Sequence, residues 1–369
     1  MTSLRPIDAD GFRYTQIIGT GGIGSGIFFS LKGDHTLGRS ESRAATLHPY
    51  RDYCKQHIIL HYLSVLLGAS RGGPVKVIPI GAVGSDEIGK GLLREMEAAG
   101  MDTEHVEMIE EKSTLFSVCF QYPDKSGGNI TADNSASSRV MPQCIESFFS
   151  DYNYVDKKEL IITAPEVPIV SRIRLLEYGR KRGAFNVACV LSAEAEQFQK
   201  MNGVALTDLL SVNIDEARAM AKISDEQVSS AKIVERCVQS LIATNPNIIV
   251  LITDGKDGSY CYAGGALEFV PALKIPAAST AGAGDAYLAG TVAGLCCGLP
   301  LTKGVDDKWF GQTPLRSAIE LGTLLAGLSV NSVHTIHPEA DAKLLYSSIK
   351  GNALQASENF LKLFKDEMV

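Results

Sequence analysis

The segment Ser279-Thr280-Ala281-Gly282-Ala283-Gly284-Asp285 combines small residues, two glycines and one carboxylate, and the apolar run AYLAGTVAGLCCGL follows it. The run has small residues at helical spacing and reads as a buried helix with the loop at its N-terminus. Gly282 and Gly284 let backbone approach a ligand closely. The first amides of a helix are unpaired and sit at the positive end of its dipole, which makes an anion site suited to phosphate. A carboxylate in that first turn can take a proton from a hydroxyl while the free amides stabilise charge on a transferring phosphoryl group. The same loop also suits a plain glycine turn with Asp285 as a helix cap.

Other constellations compete. Gly19-Thr20-Gly21-Gly22-Ile23-Gly24 fits the dinucleotide pattern G-x-G-x-x-G after a strand, which requires a helix at once and an acidic residue about 20 positions on. Lys32-Gly33-Asp34 stops Ile27–Leu31 too soon for that helix. Gly84–Gly91 (GSDEIGKG) lacks the Ser/Thr of a phosphate-binding loop, and Asp86 and Glu87 would repel the phosphate, so it reads as a loop and helix start. Asn213 and Glu216 fit an N-cap with an acidic residue in the first helical turn. His334 and His337 lie three apart with no further ligand near, which opposes a metal site.

The elements that must position these residues alternate. Short apolar strands are predicted at Tyr14–Ile18, Val75–Ile80, Glu159–Thr163, Ala184–Val190 and Asn247–Ile252. Amphipathic helices are predicted at Asp52–Leu67, Gly89–Ala99, Val170–Arg182 and Gln227–Ala243. Alternation of this kind predicts a mostly parallel sheet covered on both faces. Ile27–Leu31 and Leu115–Tyr122 break it. They are followed by polar, glycine-bearing stretches and read as a small β element over the open side of the sheet. Thr302–Thr313, which holds the only Trp, reads as a surface loop. The 369 residues carry 35 Lys plus Arg against 42 Asp plus Glu, a formal charge of −7. An acidic chain without a basic cluster opposes nucleic-acid binding. No apolar run approaches a membrane span or a signal peptide, and the eight cysteines lack metal-ligand spacing, so a cytoplasmic protein is expected.

Four blocks together resemble the ribokinase-like (PfkB-type) carbohydrate kinases. They are Gly81–Gly89 (GAVGSDEIG) running on to Leu92–Gly100, Asn213-Ile-Asp-Glu216, Thr253-Asp-Gly255-Lys-Asp-Gly258, and the GAGD loop. The helix AIELGTLLAGLSV resembles the one that closes the family's adenine pocket. The blocks stand in family order from about residue 75 to 335. The resemblance implies an α/β fold of the ribokinase type, a single domain over 1–369, with β-lid segments at about 26–45 and 113–139. It implies Asp285 as catalytic base, with Gly282 in the catalytic loop and the amides of Ala283, Gly284 and Asp285 forming the anion hole. Thr253, Gly255, Gly258, Gly322 and Thr323 would bind ATP. Asn213 and Glu216 would sit at the Mg²⁺–phosphate water shell, Glu216 reaching the metal through water.

The acceptor half departs from the family. Gly24 stands where an Asp that holds substrate hydroxyls is usual, and RDYCKQHII replaces Gly-Gly-x-x-x-Asn, offering Lys55, Gln56 and His57. Ser279 replaces the acidic residue that opens the loop, which puts monovalent-cation activation in doubt. Asp34, His35, Arg39 and Arg43 are polar lid candidates, and the two arginines could grip a carboxylate or phosphate on the acceptor. The expected function is transfer of the γ-phosphoryl group of ATP to a hydroxyl of a sugar or sugar-like molecule, with a homodimer through the lid as the expected partnership. The alternatives are a catalytically silent ligand-binding relative and an NAD(P)-dependent oxidoreductase.

Overall fold

The computed structural model describes residues 1–124, 127–151, 158–225, 227–304 and 313–365. Trp309 and most of the Thr302–Thr313 insert lie outside them. The strands are β1 (Gln16–Thr20), β2 (Gly24–Leu31), β3 (Ala45–Tyr53), β4 (Lys76–Gly84), β5 (Val106–Ile109), β6 (Leu115–Gln121), β7 (Gly127–Thr131), β8 (Glu159–Thr163), β9 (Phe185–Cys189), β10 (Leu209–Asn213), β11 (Ile249–Thr253), β12 (Gly258–Ala263) and β13 (Ala266–Pro271). Nine form one sheet in the order β13-β12-β11-β10-β9-β8-β1-β4-β5. Its pairs from β11 to β5 are parallel, and β12 and β13 add an antiparallel edge.

The helices are α1 (Lys55–Leu67), α2 (Glu87–Ala98), α3 (Pro142–Asp151), α4 (Ile169–Arg182), α5 (Ala195–Lys200), α6 (Gly203–Leu206), α7 (Ile214–Met220), α8 (Ser230–Ile242), α9 (Ala283–Cys296), α10 (Ala318–Val330), α11 (Ala342–Gly351) and α12 (Glu358–Lys362). They cover both faces of the sheet. Ile17 of β1 and Val77 of β4 pack with α1, α2 and α9–α12, whereas their neighbours Ile18 and Ile78 pack with α3–α8. Successive strand residues point to opposite faces, so covering both faces requires the continuous apolar runs seen in the sequence. Among the described residues no helix is long and apolar enough to cross a membrane.

The remaining four strands form a second sheet, β3-β2-β6-β7. Here the structure corrects the sequence reading. Residues 52 and 53 belong to β3, and α1 begins only at Lys55. Pro49 disguised this strand. β3 is an edge strand, where a residue without an N–H is tolerated. Gly19–Gly24 leads into β2 rather than into a helix, as the sequence reading required for rejecting a dinucleotide fold. Asp86 caps α2, accepting from the Gly89 amide at 2.8 Å.

Candidate functional site

Open parallel sheets bind ligands beyond the C-terminal ends of their strands, where the connections diverge. That point here is β1, which pairs with β4 on one side and β8 on the other. Along the same sheet edge, β10 ends at Asn213, β11 at Thr253, and α9 begins at Ala283. A cleft of about 780 Å³ opens there, lined by Lys55, Asn213, Glu216, Thr253, Gly255, Gly258, Ala283, Gly284, Asp285 and Thr323, among others.

Gly282 caps α9 with φ 78°, a left-handed conformation that glycine adopts without strain. A Cβ there would also come within 2.6 Å of the Thr335 carbonyl oxygen. The Ala283 amide donates to the Thr280 carbonyl at 3.3 Å. The amides of Gly284 and Asp285 have no acceptor among the described residues, so these two offer their hydrogen bonds to the cleft. Asp285 keeps 13% of its side chain exposed. Burial pushes its carboxyl up to about 6, against the pull of Lys55 and with a further push from Glu216 and Asp52.

Lys55 links the two halves of the site. Its Nζ lies 3.3 Å from Glu216 Oε1 and 4.0 Å from Asp285 Oδ1. Burial alone would lower its pKa, but the two carboxylates hold it well above the ordinary lysine value. Asn213 and Glu216 close a reciprocal cap. The Asn213 amide donates to Glu216 Oε2 and the Glu216 amide to Asn213 Oδ1, both at 2.8 Å. Their two readings are thus compatible, because the cap itself holds the carboxylate on the cleft wall.

Several sequence candidates lie elsewhere. His57 is 1% exposed, and burial pushes it down to about 3. Its ring packs on Tyr53 at 4.8 Å. Two residues along a helix turn the side chain by about 200°, so Lys55 and His57 cannot both face the cleft. Gly24 packs against the lid, where a Cβ would come within 2.5 Å of the Leu115 carbonyl oxygen. Gly322 faces α9 rather than the cleft. A Cβ on it would meet Thr291 Oγ1 at 2.3 Å and the Tyr287 carbonyl at 2.5 Å. Asp34 and Arg39 are exposed at the tip of the lid, and Arg43 is spent on Glu41 and on the His35 carbonyl. Ser279 Oγ accepts from the Ala281 amide of its own loop at 3.3 Å.

Two carboxylates were missed. Glu166, just beyond β8, has φ 75° and lies against Gly22, where a Cβ would meet the Glu166 Cβ at 2.5 Å. Burial pushes it up to about 7, and the Cys54 thiol and Lys55 lower it only partly. Its Oε2 is buried with no hydrogen-bond partner among the described residues. Asp52, the last but one residue of β3, lies on the buried face of the lid and is held by Ser117 Oγ at 3.1 Å and Cys119 Sγ at 3.0 Å. The only sequence signal for Glu166 was its place directly after a predicted strand.

The pattern of the pfkB family of carbohydrate kinases matches residues 63–342. The chain belongs to this family. As a pfkB-family carbohydrate kinase it is a phosphotransferase acting on a hydroxyl. It is 24% identical over 266 residues to a ribokinase of Haemophilus influenzae, covering 72% of this chain and 78% of that one. It is also 24% identical over 287 residues to a 5-dehydro-2-deoxygluconokinase of Geobacillus kaustophilus, covering 73% and 77%. Among solved structures, the ribokinase of Cryptococcus neoformans in complex with ADP superposes with a TM-score of 0.70 at 19% identity, covering 90% of this chain and 99% of that one. The ribokinase of Giardia lamblia also gives 0.70, at 15% identity, with 91% and 99% covered. These likenesses establish the ribokinase-like fold of this pfkB kinase.

Proposed function

We propose that the protein transfers the γ-phosphoryl group of ATP to a hydroxyl of a sugar-like acceptor, with Asp285 as the general base. One observation carries this reading. Asp285, Lys55 and the unpaired amides of Gly284 and Asp285 meet at a single point of the cleft. ATP lies along the β11–α10 side. Gly255 and Gly258 give the phosphates a close approach, while Thr323, Ala326, Gly327 and Val330 offer a small-residue wall to the base. The ADP and ATP complexes among the solved relatives support the choice of nucleotide. Asp285 accepts the hydroxyl proton as the oxygen attacks, and the two amides and Lys55 offset the charge on the phosphoryl group. The lid over the acceptor keeps water from competing with it.

The donor set also fits a hydrated Mg²⁺. Each Glu216 oxygen accepts one bond in the structure and keeps a lone pair for a metal-bound water. Glu216 and Asn213 would hold the ion through water, and its charge would offset that of the phosphates. Glu166 is the acceptor ligand on the core side, since its unpartnered oxygen calls for a hydroxyl donor. A homodimer through the lid belongs to the same reading. Leu47 and Ile130 are 57% and 65% exposed on the lid face turned from the cleft, an unusual place for large aliphatic side chains. Eight free thiols fit the reducing cytoplasm.

The test is ATP consumption over a panel of sugars, sugar acids and nucleosides, with native protein and Asp285→Asn. The expected loss on substitution is about 10²- to 10⁴-fold in kcat, with ATP still raising Tm. Turnover that survives the substitution overturns the assignment. Stabilisation by NAD(P) in place of ATP overturns the reaction class.

A further inference from the structure

The family resemblance accounts for the core of the cleft but leaves its acceptor wall with no residue in place of the missing Asp. We infer that Asp52 supplies that anchor from the lid, and that the acceptor is a hydroxyl-rich molecule bearing no carboxylate or phosphate. This rests on the kinase reading above and adds the substrate class.

The geometry begins with the lid register. Gly26 pairs with Asp52 on one side and Ser117 on the other, placing all three across adjacent strands on one face. Gly26 is needed there, because a Cβ would lie 2.1 Å from Ser117 Oγ and 3.0 Å from the Asp52 Cβ. This is the buried face of the lid, and Asp52 stands three residues before Lys55 of the cleft wall. Asp52 acts electrostatically on both Asp285 and Glu166, and Cys119 senses Glu166 as well. Ser117 and Cys119 both donate to Oδ2, so the two donors fix the orientation of the carboxylate. A half-buried carboxylate aimed at a second carboxylate is unfavourable unless hydroxyl donors come between them. A polyhydroxyl acceptor brings those donors from both sides, Glu166 below and Asp52 above.

The charge balance sets the substrate class. Asp52 and Asp285 act on Glu166, Asp52 and Glu216 act on Asp285, and Lys55 is the one cation that acts on Glu166 and Asp285 among the described residues. Lys55 is already shared between Glu216 and Asp285. Arg39 stands exposed at the lid tip, and Arg43 is paired with Glu41. An anionic acceptor would meet uncompensated carboxylates, whereas a neutral sugar, a polyol or an amino sugar would not.

Two measurements decide this. In the first, native enzyme is assayed for kcat/KM on neutral aldoses, ketoses and polyols, on amino sugars, and on sugar acids and sugar phosphates. Neutral or amino acceptors are expected to lead by at least tenfold, and a leading sugar acid or sugar phosphate overturns the inference. In the second, Asp52→Asn is compared with native enzyme on the leading acceptor. Loss of a charged hydrogen bond predicts an acceptor KM raised about 10- to 100-fold. KM for ATP should hold, and kcat should change less than about threefold. An unchanged acceptor KM, or a fall confined to kcat, refutes the role of Asp52. If Asp52→Asn does not fold, the native panel still decides the substrate class. Absence of turnover with every acceptor would instead count against the kinase reading itself.

Discussion

Replacing Lys55 with Met removes the cation from the site while keeping most of the apolar stem of the side chain. Lys55 Nζ and Asp285 Oδ1 are 4.0 Å apart, with side chains 27% and 13% exposed. Two unit charges at that distance interact by about 4 kcal/mol at an effective dielectric of 20. Solvent reaching both groups reduces this to about 1.4–2.8 kcal/mol, or roughly one to two pH units. The sign follows from the charges. A cation favours the ionised carboxylate, so its loss raises the pKa of Asp285, and Glu216 then pushes it further in the same direction. Starting from about 6, the base would move to roughly 7–8. At pH 6.5 its ionised fraction would fall from about three quarters to between about a quarter and a few per cent. The assay is kcat/KM against pH between about 5 and 9. The acid limb should shift upward by one to two units in Lys55→Met, with a lower plateau because a phosphate-facing cation is lost. Burial pushes Glu166 up to about 7 as well, so the comparison is repeated in a Glu166→Gln background, where the same displacement must appear. An acid limb that stays in place, or moves down, refutes the claim that Lys55 tunes the base.

Two further substitutions separate the cleft from its surroundings. Gly322→Ala should cost about 1–3 kcal/mol of stability, read as a lower Tm, because its Cβ would press on Thr291 Oγ1 and on the Tyr287 carbonyl. A Tm equal to that of the native protein would show that the α9–α10 contact yields without cost. Arg39→Ala should leave acceptor KM and Tm unchanged, within about 0.5 kcal/mol, since the side chain lies exposed at the lid tip. A rise in acceptor KM would restore the anion-gripping arginine and also oppose the inference drawn for Asp52.

The glycine loop and the Asn213–Glu216 cap on the cleft wall were legible because they are set by the backbone and by local spacing. Gly282–Asp285 lie next to one another in the chain, and Asn213 and Glu216 are one helical turn apart, so a linear reading brings each group together. The acceptor wall is assembled differently. Asp52, Lys55, Glu166 and Asp285 come from a lid strand, a helix start, a strand end and a second helix start, and no spacing links them. Pro49 hid the strand that carries Asp52, moving that residue into a predicted helix. His57 was mistaken for a ligand because its sequence distance from Lys55 is short, although the helix turns it into the core. The strands β10, β12 and β13 were missed because they lie close to strong helix or turn signals. In both parts, what could not be read was long-range pairing rather than local preference.

The site's precision depends on a strap that neither half contains. Thr335 Oγ1 donates to the Arg51 carbonyl at 3.2 Å, fixing the strand residue just before Asp52. The carbonyl of the same Thr335 abuts Gly282, at the cap of the helix that bears Asp285. Two residues on, the His337 amide donates to the Tyr62 hydroxyl at 2.8 Å, tying in the helix that begins at Lys55. One short segment therefore sets the spacing between the lid carboxylate, the lysine and the base. That explains why Gly282 must have no side chain. A Cβ would lie 2.6 Å from the Thr335 oxygen, and backbone held on both sides cannot move aside as a flexible side chain would. The left-handed glycine at the helix start thus serves two ends. It leaves the Gly284 and Asp285 amides open to the cleft, and it admits the strap that fixes Asp285 relative to Asp52 and Lys55. Positioning of this kind is the main contribution a protein can make to phosphoryl transfer, where the chemistry asks little else of it.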